Sequence, residues 1–273
     1  MQKVVTKQSL TSPKELREFI EYPIRCMAKE TPLFDIMNPT NFLQIIFCFE
    51  KVISIRLTHN NIEFRNGGVF ATSDIPPYVL ITFFPAHAVK LDNVLHVRYL
   101  QGNQEEILEY NNFIDKIKTD HYDNLYGVNE KRYGYKSLRI IGNPEKVDDP
   151  LKLGHMIRDG VGNLFSGRKK GELKLNIKNI IAETYIRAKK VINCAYYYDG
   201  AYPIIYYVST RAISKGEELL TIYEPRRWYD KEYGIENDMN SPFITIMLEL
   251  CKDEKFRLWM DKMNKEIFPD NVM

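Results

Sequence analysis

Cysteine is scarce and scattered: Cys26, Cys48, Cys194 and Cys251 are the only four in 273 residues, with no CxxC pair and no Cys/His spacing of the zinc-binding kind. A structural metal site and a disulfide-stapled secreted scaffold are therefore excluded as expectations, and a reduced intracellular compartment is the expected setting, cytoplasmic or nuclear. Long hydrophobic runs are missing too. The most apolar stretch, Phe42-Leu43-Gln44-Ile45-Ile46-Phe47-Cys48-Phe49, meets Glu50 and Lys51, well short of the ~18 consecutive apolar residues of a membrane span. It reads as a buried helix. Lys3, Lys7 and Lys14 have no apolar segment between them, so a secretory signal is not expected. Excess charge of one sign is absent as well: 38 Lys and Arg against 36 Asp and Glu leave +2, which by itself calls for neither nucleic acid nor an anionic membrane. Internal repeats and low-complexity tracts are also lacking. What remains is an ordinary globular composition, 44% hydrophobic and 27% charged, long enough for one large domain or a domain with helical additions.

Along the chain, the pattern is helical from Ser12 to about Ile55. Ser12-Pro13-Lys14-Glu15 offers a cap with Pro at the first helical position, and Asn38-Pro39-Thr40 starts a second helix that runs to Val52. The texture then becomes alternating. Ser54 to His59, Ile62-Glu63-Phe64 and Val69-Phe70-Ala71 predict short strands separated by Asn60-Asn61 and Asn66-Gly67-Gly68, and Tyr78 to Phe84 predicts an apolar strand closed by Pro85. Residues 92–136 are polar and acidic, which predicts an irregular insertion with one short helix and a solvated face. Asp148-Asp149-Pro150 caps a buried helical turn over Leu151–Ile157, and Gly160 to Lys170 reads as a basic glycine-rich loop. Strands are predicted at Val191–Ala195 and Pro203–Thr210 around a turn at Asp199-Gly200, and again at Leu219–Tyr223. Beyond Pro225 the chain turns helical, with a helix from about Pro242 to Lys265.

Taken singly these pieces are ordinary; their order is not. Asn66-Gly67-Gly68-Val69-Phe70-Ala71-Thr72-Ser73-Asp74-Ile75-Pro76 resembles the opening motif of SET-domain protein methyltransferases. Ser209-Thr210-Arg211-Ala212-Ile213-Ser214-Lys215-Gly216-Glu217-Glu218-Leu219, ending at Tyr223, resembles the closing motif of that family. Between them, Leu153 to Gly160 and Val191-Ile192-Asn193-Cys194 are similar to a SET variant with Asn-Cys in place of the usual Asn-His. The resemblance spans roughly 53–229. It implies a mostly β fold with α additions: several small β-sheets around a knot-like crossing in which the Asn193 segment passes beneath the loop ending at Tyr223. The implied division is a helical extension over 1–52, a SET-like domain over 53–225 and a helical flank over 226–273 that closes the site.

The same resemblance implies S-adenosylmethionine as cofactor and a protein lysine as methyl acceptor. Asn66, Gly67, Gly68, Asn193, Cys194 and Trp228 would bind the cofactor, and Thr221, Phe84 and Tyr207 would line the lysine channel. Tyr223 would be the catalytic residue. The chemistry suits those types. Glycine lets a ligand approach the backbone, and Asn tolerates the left-handed conformation where it replaces the first glycine. An Asn amide donates and accepts at once. A lysine of reference pKa near 10.4 must shed a proton to attack, and a phenol beside the channel orients it. Phe84 stands where family members carry a Tyr hydroxyl, and Thr221 where many carry an aromatic ring, which suggests room for di- or trimethylation. Simpler readings stay open: Cys194 as a small buried apolar residue, Trp228 as a helix anchor, and Tyr223 as a strand-ending core tyrosine.

The expected partner is a protein substrate, a histone or another basic protein; neither a membrane nor a nucleic acid is expected as a direct ligand, and a homo-oligomer stays open. The alternative function is a catalytically degenerate SET module that binds or assembles proteins, motivated by Asn66, Phe84 and Ala86.

Overall fold

The computed structural model describes residues 61–91, 94–97, 104–119, 127–130, 138–166, 170–198, 205–223, 225–233 and 242–268. The expected helices before residue 53, the strand over 54–59 and the turn at Asp199-Gly200 lie outside these residues. Strands β1 (Ile62–Arg65) and β2 (Gly68–Ala71) form a hairpin in which Arg65 faces Gly68 and Ile62 faces Ala71. β3 (Leu80–Phe83) is buried along its whole length, as a continuous apolar run implies. It is shorter than expected because Tyr78, at a φ of 62°, bends the chain before it.

The insertion differs most from expectation. β4 (Ala88–Leu91), β5 (Val94–Val97), β6 (Gly127–Glu130) and β7 (Leu138–Ile141) build a four-stranded antiparallel sheet in the order β5-β4-β7-β6. Helix α1 (Gln104–Thr119) has 16 residues and is not short. Phe113 and Ile117, one turn apart, bury against Ala88 and Ile141 of the sheet. Two apolar residues at that spacing suffice to dock an otherwise polar helix. The prediction of an irregular segment with one short helix is therefore corrected, whereas Asn111, Asn112, Asp115 and Lys118 keep a solvated face.

Next come two 3-10 turns, Pro150–Lys152 and Gly154–Met156. The Asp149 side chain caps the first by accepting from the Leu151 N–H at 3.0 Å. The expected capped and buried turn is there, with Leu153 and Ile157 fully enclosed. β8 (Arg158–Asp159) leaves it. Helix α2 (Lys170–Val191) then occupies 22 residues, so the strand predicted from Val191 begins only at β9 (Cys194–Tyr198). β9, β10 (Ile205–Ser209) and β3 form an antiparallel sheet in the order β3-β10-β9. β11 (Leu220–Thr221) runs parallel to β8, pairing Leu220 with Arg158 and Thr221 with Asp159.

Three helices follow: α3 (Pro225–Glu232), α4 (Pro242–Leu250) and α5 (Glu254–Ile267). The single helix predicted from Pro242 to Lys265 is interrupted because Asp253 adopts an extended backbone and caps α5, accepting from the N–H groups of Lys255 and Phe256. Phe165, Ile180, Ile181, Tyr229, Phe243 and Phe256 pack α2 to α5 into one helical layer. A second cluster, Ala188, Ile192, Ile222, Met263 and Ile267, ties that layer to the end of β11. Among the described residues no helix is long and apolar enough to cross a membrane.

Candidate active site

The Asn-Gly pair links β1 to β2 as a two-residue hairpin turn. Asn66 has φ 51° and Gly67 φ 77°; paired positive φ values of this kind match the right-handed twist of the strands. Asn66 is thus accommodated as its residue type allows. The two glycines have different reasons. Among the described residues a Cβ on Gly67 would meet nothing within 4 Å, so there its positive φ is what selects glycine. At Gly68 a Cβ would lie 2.4 Å from Glu218 Oε1 and 3.3 Å from Arg158 Nε. The protein's own ion pair fills that space: Arg158 Nε donates to Glu218 Oε1 at 2.6 Å.

The crossing predicted at Asn193 is made almost entirely by Asn193 itself. Its backbone N–H donates to Leu220 O at 3.1 Å and its carbonyl accepts from Thr210 N at 2.8 Å, so the segment is gripped by both ends of the closing motif. Its side-chain amide donates to Glu218 O (2.7 Å) and Glu217 Oε1 (3.1 Å), and its oxygen accepts from Leu220 N (2.9 Å). Both amide donors are spent, and the residue is fully buried. In this arrangement its hydrogen bonds pin the closing loop. Burial opposes ionisation of Glu217, yet hydrogen bonds from Arg211, the Ser214 N–H and Asn193 hold its carboxyl below the usual range.

Cys194 is also fully buried, with its thiol 3.4 Å from Leu220 O, and burial pushes that thiol far above its ordinary pKa. It behaves as the small apolar core residue of the simpler reading. Thr221 is fully enclosed, and its hydroxyl finds no hydrogen-bond partner among the described residues. Tyr207, on β10, is buried beside the Gly154 turn; burial raises its phenol pKa well above the ordinary value, reinforced by Tyr223, Cys194 and Tyr196 nearby. Phe84 follows β3 and meets His155 edge-on, with ring centroids 6.2 Å apart.

Tyr223 is held at its tip and on its faces. Its hydroxyl donates to the Ile157 carbonyl at 2.8 Å, and its ring lies nearly parallel to that of Trp228, 6.1 Å between centroids at 24°. The Arg227 guanidinium carbon stands 4.6 Å from the phenol centroid. Trp228 in turn donates its indole N–H to Asp159 Oδ2. Burial raises the Asp159 carboxyl, opposed by hydrogen bonds from Trp228 and from the backbone of Val161, Gly162 and Tyr223. Trp228 is thus both a helix anchor, packed against the helical layer, and the stacking partner of Tyr223.

The structure gathers Tyr223, Trp228, Thr221, Asn193 and Cys194 around β11. The Asn66–Gly68 turn reaches the same loop because Leu219 N donates to Val69 O at 2.8 Å and Ala71 N to Glu217 O at 2.9 Å. The sequence reading missed Ile157, Arg158, Asp159 and Arg227 as parts of this arrangement. Asp159, inside the Leu153–Gly160 segment that carries the resemblance, was open to notice as a lone acid among apolar and glycine residues.

The family model described as SET domain matches residues 66–224. No curated protein sequence matches the chain. Among solved structures, the crystal structure of ATXR5 in complex with mono-methylated histone H3.1 is similar at 16% identity and a TM-score of 0.32. The match covers 66% of this chain, which spans 64% of that one.

Proposed function

The chain belongs to the SET-domain family, and from that membership we propose that it is an S-adenosylmethionine-dependent protein-lysine methyltransferase with Tyr223 as its catalytic residue. The observation that carries this reading is the fixed phenol of Tyr223. Its O–H donates to Ile157 O, and a phenol oxygen can accept from an incoming amine N–H while it donates. A phenol held in that way orients an incoming lysine, and positioning of reactants at near-attack distance supplies most of the rate in such a displacement.

The residues present fit the cofactor at one point in particular. The space beside Gly67, open among the described residues, is what close approach of a ligand to a backbone requires. Asn66 and Gly67 would hold the cofactor there, with Trp228 beside the reacting centre. When bound, S-adenosylmethionine supplies an electrophilic methyl group. Thr221 and Tyr207 would line the lysine channel: a small side chain at Thr221 leaves room for repeated methylation, and the enclosed Tyr207 excludes water. A histone or another basic protein is the proposed substrate class, and the helices of 226–273 are proposed to close the site.

Radiolabelled methyl transfer to core histones and to whole-cell lysate tests the reading. Transfer by the wild type, with Tyr223→Phe slowed on the order of 10²-fold, is the expected result. Product analysis by mass spectrometry at saturating cofactor is expected to show di- or trimethyllysine, and monomethyl product alone would remove the role given to Thr221. The alternative, a SET module that binds protein without methyl transfer, is favoured by one observation: Glu218 already fills the space at Gly68. It predicts no thermal stabilisation by S-adenosylmethionine.

A further inference from the structure

Strand β8 is only two residues long, yet it is held from every side. Successive side chains of a strand point to opposite faces. Arg158 accordingly goes to Glu218 beside the Gly68 turn, and Asp159 goes to Trp228. The residue just before the strand, Ile157, supplies the carbonyl that receives the Tyr223 hydroxyl. Thus one short segment fixes the tip of Tyr223 through Ile157 and approaches its face through Asp159.

We propose, on the premise that Tyr223 is the catalytic residue, that Asp159 is a positioning residue, its carboxylate holding the Trp228 indole so that the stacked ring sets the orientation of the phenol. Three observations carry this. First, the two carboxylate oxygens have separate work: Oδ1 accepts from the Val161 N–H at 2.9 Å, while Oδ2 accepts from the indole. Second, the backbone of Tyr223 itself hydrogen-bonds this carboxylate, and Asp159 is the register partner of Thr221, two residues before Tyr223. Third, the stack of Trp228 on Tyr223 is nearly parallel, so rotation of the indole would remove a face contact from the phenol, whose tip is fixed at Ile157 O. Trp228 lies on α3, a different element from β8. The carboxylate therefore ties the helical layer to the strand at the point where the phenol stands.

The test is a double-mutant cycle of Asp159→Ala and Trp228→Phe, with Asp159→Asn as a variant that keeps side-chain volume. Two readouts are needed. In a ¹⁵N–¹H spectrum the Trp228 indole signal, identified by its loss in Trp228→Phe, is expected to move upfield in Asp159→Ala. In methyl transfer, Asp159→Ala is expected to lower kcat about tenfold, since small misplacements of reacting groups cost that much or more. That loss should largely vanish in the Trp228→Phe background, because coupled residues are non-additive. An indole signal that stays put, or equal losses in both backgrounds, overturns the positioning role and reduces Asp159 to a turn cap. A wild type that transfers no methyl group overturns the methyltransferase reading and this role with it. An active wild type with an unmoved indole overturns the positioning role alone.

Discussion

His155 shows how a single residue here is defined by its enclosure. It is buried, its Nε2 donates to the Asn143 carbonyl at 2.8 Å, and its ring lies between Phe84 and His87, with centroids 6.2 and 5.8 Å away. Burial lowers its pKa from the ordinary 6.5 to about 4, against hydrogen bonds with the backbone at Asn143 and Lys152. The unfolded chain therefore binds a proton there at a higher pH than the folded one. Stability is full above pH 6.5 and is lost as pH falls from 6.5 toward 4, by about 3 kcal/mol if the whole shift is realised. Urea midpoints at pH 7 and pH 5 should fall more in the wild type than in His155→Gln; equal falls would show that other groups carry the acid sensitivity. Asn193 teaches a related lesson. The sequence singles it out, but an amide's hydrogen-bonding groups look the same whether they meet a ligand or a loop, and only the fold shows that Glu217 and Glu218 accept from its Nδ2 while Leu220 N–H donates to its Oδ1.

Elements were legible in proportion to how local their cause is. The Asn66-Gly67 hairpin and the Asp149-capped turn depend on a few adjacent residues, and both are where the sequence puts them. Helix α2 went unread although Ile177, Ile180, Ile181, Thr184 and Ala188, all buried, recur at i, i+3, i+4, i+7 and i+11. The exposed polar residues between them, among them Lys178, Asn179, Arg187, Lys189 and Lys190, obscure that repeat. The four-stranded sheet was hidden for a different reason: its pairings join residues as distant as Ala88 and Ile141, and nothing local announces such a partner. At this scale the turn at Gly154 gives a sharp prediction. A Cβ there would lie 2.7 Å from Phe83 O and 2.8 Å from Tyr207 Cε2. The carbonyl belongs to a buried strand and cannot withdraw as a side chain would. Gly154→Ala is expected to cost about 1–3 kcal/mol, read as a lower melting temperature together with slower methyl transfer through displaced Tyr207; an unchanged melting curve would show that the turn yields.

At the scale of the whole molecule, the scarcity of cysteine and of charge imbalance pointed to an ordinary packed interior, and the described residues show where it is divided and how it is joined. The β core around Val69, Leu153 and Cys194 and the helical layer around Phe165, Ile181 and Phe243 are separate clusters. The β11 segment joins them: Leu219 packs in the β core, and Ile222, one residue before Tyr223, packs with Met263 and Ile267 of α5. A ligand held beside Tyr223 should therefore stabilise both clusters together. The chain's two tryptophans report on the two places, Trp228 at the site and Trp259 within the helical layer. Unfolding followed by fluorescence of Trp228→Phe and of Trp259→Phe should give coincident transitions, as one cooperative unit requires. S-adenosylmethionine at 100 times the dissociation constant measured for each variant should raise both by the same amount, about 2.7 kcal/mol. If the Trp259 signal were lost first and ignored the ligand, the helical layer would be an independent unit, and the β11 segment would not transmit what happens at Tyr223.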